Sequence, residues 1–221
     1  MLNAKKLTLC LLFLAGCSVV EDQLGVEITH HLTYRCKNHA YANAGLEDFI
    51  NTRFHSSAPV RMGIIPFAVP ANLSGYNAEQ PGVGNTLAWK VQSQILDRQV
   101  VPIVEVLNRA SLPGHKDEFF TGNFGSIDMA REAGYDLIMI GYLEPTRSLD
   151  EAKMYTKIIE VEGGITVYFG ESTLASNQRT FDKVGSTVFG GETPSNIYTN
   201  ELFDKLSRCV VEGALDEDSI K

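Results

Sequence analysis

The 221-residue sequence lacks any apolar run that could cross a membrane as a helix, which takes about twenty apolar residues in succession; the apolar stretch Leu7–Leu14 ends well short of that. It also lacks a surplus of positive charge. With 19 Lys and Arg against 27 Asp and Glu, a formal net charge of −8, the balance argues against nucleic acid, and against anionic lipid headgroups as the main partner. Catalytic and metal-binding spacings are missing as well. There is no Cys-x-x-Cys or His-Glu-x-x-His, no Gly-x-Ser-x-Gly elbow and no Gly-Lys-Ser phosphate loop. No internal repeat or low-complexity block occurs.

What the sequence does have begins at its amino terminus. Lys5 and Lys6 precede the short apolar run Leu7–Leu14, the order of a signal peptide rather than of a spanning helix. The segment Leu14-Ala15-Gly16-Cys17 resembles the lipobox of bacterial lipoproteins. The resemblance implies cleavage after residue 16 and lipid attachment at Cys17, and several acyl chains make such an anchor durable. Ser18, in place of Asp, implies sorting to the outer membrane, with the chain on its periplasmic face. Residues 17–43 carry mixed charges and little periodicity and read as a tether; residues 44–215 read as one domain and 216–221 as an acidic tail. Of the 19 basic residues, Lys5 and Lys6 leave with the signal, so 17 stand against 27 acidic residues.

Cysteine usage agrees with such a compartment. Cys10 leaves with the signal and Cys17 is acylated, which leaves Cys36 and Cys209 where thiols oxidise. The expectation is a Cys36–Cys209 disulfide. The alternative is a buried free thiol, because Cys209 shares the apolar face of an expected helix with Leu202, Leu206 and Val210.

Within the domain, Val60–Phe67 reads as a buried strand ended by Pro66. Asn85 suits a helix N-cap, with Leu87, Val91 and Ile95 recurring every four residues to about Asp97. Val100–Leu107 is a second strand. Ser126 caps a second helix that closes at Gly134, and Tyr135–Leu143 is a third strand. Met154–Glu162 and Ile165–Ser172 form a hairpin through Gly163-Gly164, and Thr193-Pro194 opens a last helix closing near Gly213. The expected fold is α/β, a mixed sheet with helices on its faces, in the order strand-helix-strand-helix-strand-hairpin-helix.

Three stretches, Met62-Gly-Ile-Ile-Pro-Phe67, Val104-Glu-Val-Leu-Asn-Arg109 and Ala130-Arg-Glu-Ala-Gly-Tyr-Asp-Leu-Ile-Met-Ile-Gly141, taken in this order behind a lipobox, resemble the curli-secretion lipoprotein family (CsgG-like). That family shares an α/β domain with the amino-terminal domain of TolB and with lipoprotein activators of penicillin-binding proteins. The resemblance implies a non-enzymatic role in an envelope assembly, by oligomerising or by docking on envelope proteins. Membership of the channel-forming branch is not implied. Lys157, Glu160 and Glu162 interrupt the apolar side of the hairpin, and a lysine near the middle of a barrel wall costs about 2 to 4 kcal/mol. The expectation is a protein-packed hairpin extending the sheet in water, with Lys157 at a sheet margin guarding an edge.

The remaining candidates read as ordinary surface. His30, His31, Cys36 and His39 have metal-ligand types without a metal-site spacing. Gly82-Val-Gly84 precedes a helix but lacks the other residues of a phosphate cradle. Ser186 has no elbow context, the pair Asp128 and Glu132 suits a solvated helix face, and His115 falls in a loop. Neither catalytic nor cofactor-binding residues are expected, and the chain reads as no enzyme. The second functional expectation is a periplasmic small-ligand-binding or hydrolytic domain using the loop Ala68–Gly84 after the first strand.

Overall fold

The computed structural model describes residues 34–55, 57–70, 82–108, 116–145, 151–176 and 195–215. Cys17, His30, His31, His115, Ser186, Thr193 and Pro194 lie outside the described residues, as do residues 71–81. The six strands are β1 (Tyr34–Asn43), β2 (Arg61–Ile64), β3 (Ile103–Val106), β4 (Leu137–Leu143), β5 (Glu151–Glu160) and β6 (Thr166–Ser176). They form one sheet in the order β1-β6-β5-β4-β2-β3. Five helices are described: α1 (Leu46–Arg53), α2 (Val83–Arg98), α3 (Lys116–Thr121), α4 (Ser126–Glu132) and α5 (Ser195–Leu215). The fold is mixed α/β.

The centre of the sheet is set by the most apolar sequences. β4 is buried along its whole length, and its alternation feeds two cores: Leu137, Met139 and Leu143 face one, Ile138, Ile140 and Tyr142 the other. Such double burial is what a central strand covered on both faces requires. β2 and β3 run parallel to each other and β2 runs parallel to β4, as crossovers through α2 and α4 dictate. The hairpin β5–β6 then pairs antiparallel with β4 and, through β6, with β1. Gly164, at φ 69°, closes its turn in a left-handed conformation that glycine takes without cost.

The first core lies under α1, α2 and α5, with Leu87, Val91 and Ile95 meeting Leu202, Leu206 and Val210. The second is thinner, built on Phe119 of α3, Phe124 and Ala130 of α4. No described helix is long and apolar enough to cross a membrane.

Several expectations are corrected. The tether does not run to Asn43, because Tyr34–Asn43 is a ten-residue strand paired with β6. Its sequence hides this: most of its side chains are exposed, Tyr34, Ala40 and the disulfide-bonded Cys36 alone reach the first core, and it forms by capping the edge of a hairpin that is distant in sequence. Lys157 is not at a sheet margin, since β5 sits between β4 and β6. Ser126 is the first residue of α4 rather than its cap; Gly125, in a left-handed conformation, takes that place. α5 ends at Leu215, two residues past the Gly213 near which it was expected to close, and Asn38 packs on Gly213 so near that a Cβ would fall 2.6 Å from Asn38 Cγ. The short helices α1 and α3 were not expected.

Candidate functional site

The described residues cover only part of the second face of the sheet. α3 and α4 pack on β4, and Phe119 and Phe120 of α3 reach Phe169 of β6; no described helix lies over β1 on that side. The alternation of β1 turns Cys36 and Asn38 toward α5, where Cys36 is bonded to Cys209 and Asn38 Nδ2 donates to the Cys209 carbonyl at 3.0 Å. Arg35, Lys37 and His39 therefore point to the uncovered side, opposite Ala175, Thr173 and Glu171 of β6.

Aromatic rings fill the boundary between the covered and uncovered parts. Phe169 of β6 is flanked by Tyr41 at 4.8 Å and by Phe120 at 6.1 Å between ring centroids. Phe120 also meets Tyr155 edge-on at 5.2 Å, and His39 meets Tyr41 at 4.7 Å. Tyr41 and Phe120 are 51% and 43% exposed, so the two rings stand out on either side of Phe169 as a notch. Rings this exposed are the side chains that interfaces recruit.

Beneath the notch lies Lys157, only 8% exposed. Its ammonium donates to the Phe119 carbonyl at 2.6 Å and reaches Asn123 Oδ1 at 3.5 Å, with the rings of Phe119 and Phe169 at 4.8 and 5.3 Å. The Phe119 carbonyl belongs to the last turn of α3, where helix carbonyls have no partner of their own and a cation is favoured. Lys157 thus holds α3, and with it Phe120, onto the sheet. Burial depresses the pKa of this lysine.

An ionic network borders the rings. Glu171 accepts from Lys153 at 3.0 Å, from Thr173 at 3.3 Å and from Tyr41 at 3.3 Å. Burial works to raise the Glu171 carboxyl, but the hydrogen bonds from Lys153 and Tyr155 outweigh it and hold it below the usual range. Tyr155 is pushed up, first by burial and then by its bond to Glu171. Lys116 pairs closely with Glu144 and lies over the Tyr155 ring. Fixed as partners of one another, these groups position aromatic side chains.

A second exposed apolar strip runs along α2 on the other side of the sheet. Trp89, the sole tryptophan of the chain, and Leu96 are 48% and 39% exposed. They lie two helical turns apart on one side of the helix. Between them Gln92 donates to the Val104 carbonyl at 2.7 Å, which occupies one acceptor of the edge strand β3.

The expected site residues fare differently. Cys36 and Cys209 are brought together as a disulfide, and Cys17 lies outside the described residues. Among the described residues no group of three or more His, Cys, Asp or Glu could hold a metal ion; of the sequence cluster, Cys36 is bonded and His39 stacks on Tyr41. Gly82 is the N-cap of α2, and the Gly84 carbonyl accepts from Phe67 N, which makes this segment a packing contact. Asp128 pairs with Arg131 at 3.0 Å on the surface of α4. The notch and Lys157 were not picked out from sequence as a site. An available signal was the density of aromatics in Phe119-Phe120, Phe124 and Tyr168-Phe169, but nothing local tells that these segments meet.

No family model matches the chain and no curated protein matches it. Among solved structures it is similar to the PelC dodecamer from Paraburkholderia phytofirmans, at 10% identity over 83% of this chain and 97% of that one, with a TM-score of 0.44. It is also similar to lipoprotein GNA1162 from Neisseria meningitidis, at 10% identity over 53% of this chain and 81% of that one, TM-score 0.32. A third likeness is to TolB from Acinetobacter baumannii, at 10% identity over 81% of this chain and 31% of that one, TM-score 0.33. At these scores the likenesses assign neither site nor partner to this chain.

Proposed function

We propose that this protein is a non-enzymatic lipoprotein subunit of a cell-envelope assembly, CsgG-like in the broad sense, anchored through Cys17 at the periplasmic face of the outer membrane. Its α/β domain docks on envelope proteins or on copies of itself. The observation that carries the docking is the Trp89–Leu96 strip of α2, because tryptophan is enriched at the centres of interfaces and this one stands half-exposed, with Leu96 exposed two turns along the same side of the helix. Gln92, between them, keeps the adjacent sheet edge from pairing indiscriminately. The Cys36–Cys209 bond supports an oxidising compartment. The hairpin β5–β6 supports a scaffold over a channel wall, since Met154, Ile158 and Tyr168 are buried in the core that includes α5 residues, and Lys157 is buried on the other face.

The test is chemical cross-linking of the full-length protein in cells, followed by measurement of the mass of the purified complex. We expect a multimer or a complex with an envelope protein, weakened at least tenfold by Trp89→Ala. A monomer that cross-links to nothing would refute the docking role.

A further inference from the structure

We infer that one internal water molecule is held between the sheet and α5 by the hydroxyls of Thr156, Tyr168 and Ser172. All three side chains are fully buried. Met154 and Ile158, two residues to either side of Thr156 on β5, belong to the first core, as do Tyr168 and Leu174, which share their side of β6 with Ser172. The alternation of a strand therefore turns all three hydroxyls toward the side that α5 covers.

The register brings them to one place. Gly170 lies between Tyr168 and Ser172 on β6 and opposite Thr156 on β5. It has no side chain, and the Tyr168 hydroxyl leans into that space, 2.2 Å from where a Cβ would fall. Thr156 is the side chain that faces this hydroxyl. Two hydroxyls that face each other share one hydrogen bond, and the other hydrogen of the pair needs a further acceptor. Ser172 Oγ has no hydrogen-bond partner among the described residues, and Ser172 stands two positions from Gly170, roughly 7 Å along the strand. That is too far for a direct bond. It suits one bridging water, whose two bonds of about 2.8 Å close the gap once the serine hydroxyl leans toward the glycine. A water accepts through two lone pairs, so it takes the hydrogen of Ser172 and the spare hydrogen of the pair, which would otherwise weigh against the fold.

The surroundings select a small neutral occupant. Met154, Ile158 and Leu174 bring no charge to the place, so an ion would be costly there. Gly170, Ser172 and Ala40, which pairs with Gly170 on β1, are small side chains that leave room beneath α5. About three bonds to polar groups without other partners are what the internal waters of folded proteins make. The three hydroxyls then act as a unit, although Ser172 touches neither of the others.

The test is a crystal structure of the full-length protein together with urea unfolding of wild type, Ser172→Ala, Thr156→Val and the double variant. We expect one water with bonds of about 2.6 to 3.2 Å to Ser172 Oγ and to Thr156 Oγ1 or Tyr168 Oη. Ser172→Ala should lower the folding equilibrium constant about fivefold, the worth of one net hydrogen bond. In the Thr156→Val background the same change should cost less than half as much, because the water has already lost a partner. No density between the three oxygens, in a structure that shows other buried waters, overturns the inference. So does Ser172→Ala folding as well as wild type or better, which is the behaviour of a hydroxyl without a partner. Strictly additive losses would mean that the hydroxyls act separately, and likewise overturn it.

Discussion

Loss of the Cys36–Cys209 bond is expected to be the largest single destabilisation available in this chain. The bond joins residues 173 positions apart, and in the chain-entropy model a loop of that length is worth about 5 kcal/mol at 25 °C. That equals the lower end of the total stability of an ordinary domain, about 5 to 15 kcal/mol. The structure also says where the strain would appear. The bond fastens the edge strand β1 to α5, supported there by the Asn38–Cys209 hydrogen bond and the packing of Asn38 on Gly213. The cleaner variant is Cys36→Ala, since Cys36 is exposed whereas Cys209 is 1% exposed and a polar replacement there would add an unpaired buried hydroxyl. Urea unfolding of wild type and variant, with and without reductant, measures the effect. With a slope of about 2.5 kcal/mol per molar urea, the midpoint should fall by about 2 M. The slope should steepen, because the unlinked denatured chain exposes more surface. A midpoint that moves by less than about 0.3 M would show that the loop is not constrained in the denatured state as argued.

Three further outcomes follow from buried groups. The depressed pKa of Lys157 means that its folded environment disfavours the charged form, so its contribution to stability is greatest above the unfolded value of 10.5 and is lost as pH falls through the lower folded value; the stability difference between wild type and Lys157→Met should therefore shift in favour of wild type as pH rises toward 10.5, and a difference independent of pH across that window would contradict it. Gly213→Ala places a methyl 2.6 Å from Asn38 Cγ and should cost about 1 to 3 kcal/mol in thermal unfolding, with much of the loss recovered by Asn38→Ala; no recovery would mean that the clash lies elsewhere. Tyr168 is fully buried, and Thr156 is the side chain that faces its hydroxyl, so Tyr168→Phe should cost no more than the value of one weak hydrogen bond, about 1 kcal/mol, and a larger loss in urea unfolding would show that the pair holds the core together more strongly than that.

The parts of the fold that were legible are those whose burial is written locally. β4 reads as an uninterrupted apolar run because it is covered on both faces, and α2 shows its four-residue recurrence because one side of it meets the core. The hairpin was legible from Gly163-Gly164, with bounds that differ by a few residues, since strand ends depend on the partner as well as on the chain. β1 was illegible for a related reason. Its pattern of exposed Arg35, Lys37 and His39 is that of any polar segment, and only pairing with β6, more than a hundred residues later, makes it a strand.

Lys157 shows why the site was harder to read than the fold. Sequence reasoning put it among the residues that interrupt the apolar side of the hairpin and took its charge as a sign of a sheet margin, whereas it is buried in the strand beside Ile159. That step fails when the charge has a carbonyl and two rings to receive it, and the carbonyl and one ring come from α3, 38 residues earlier, while the other ring is the cross-strand neighbour Phe169 of β6. A buried cation with no carboxylate among the described residues is costly to hold, and the structure accepts the cost where a six-residue helix must be fixed on a sheet that continues past it beyond any described helix. The alternative, an apolar residue at 157, would leave the carbonyl end of α3 without its donor and Phe120 without a fixed place. The lysine is therefore part of what shapes the notch, and the same residue that argues against a barrel wall accounts for a surface with two exposed rings at defined positions.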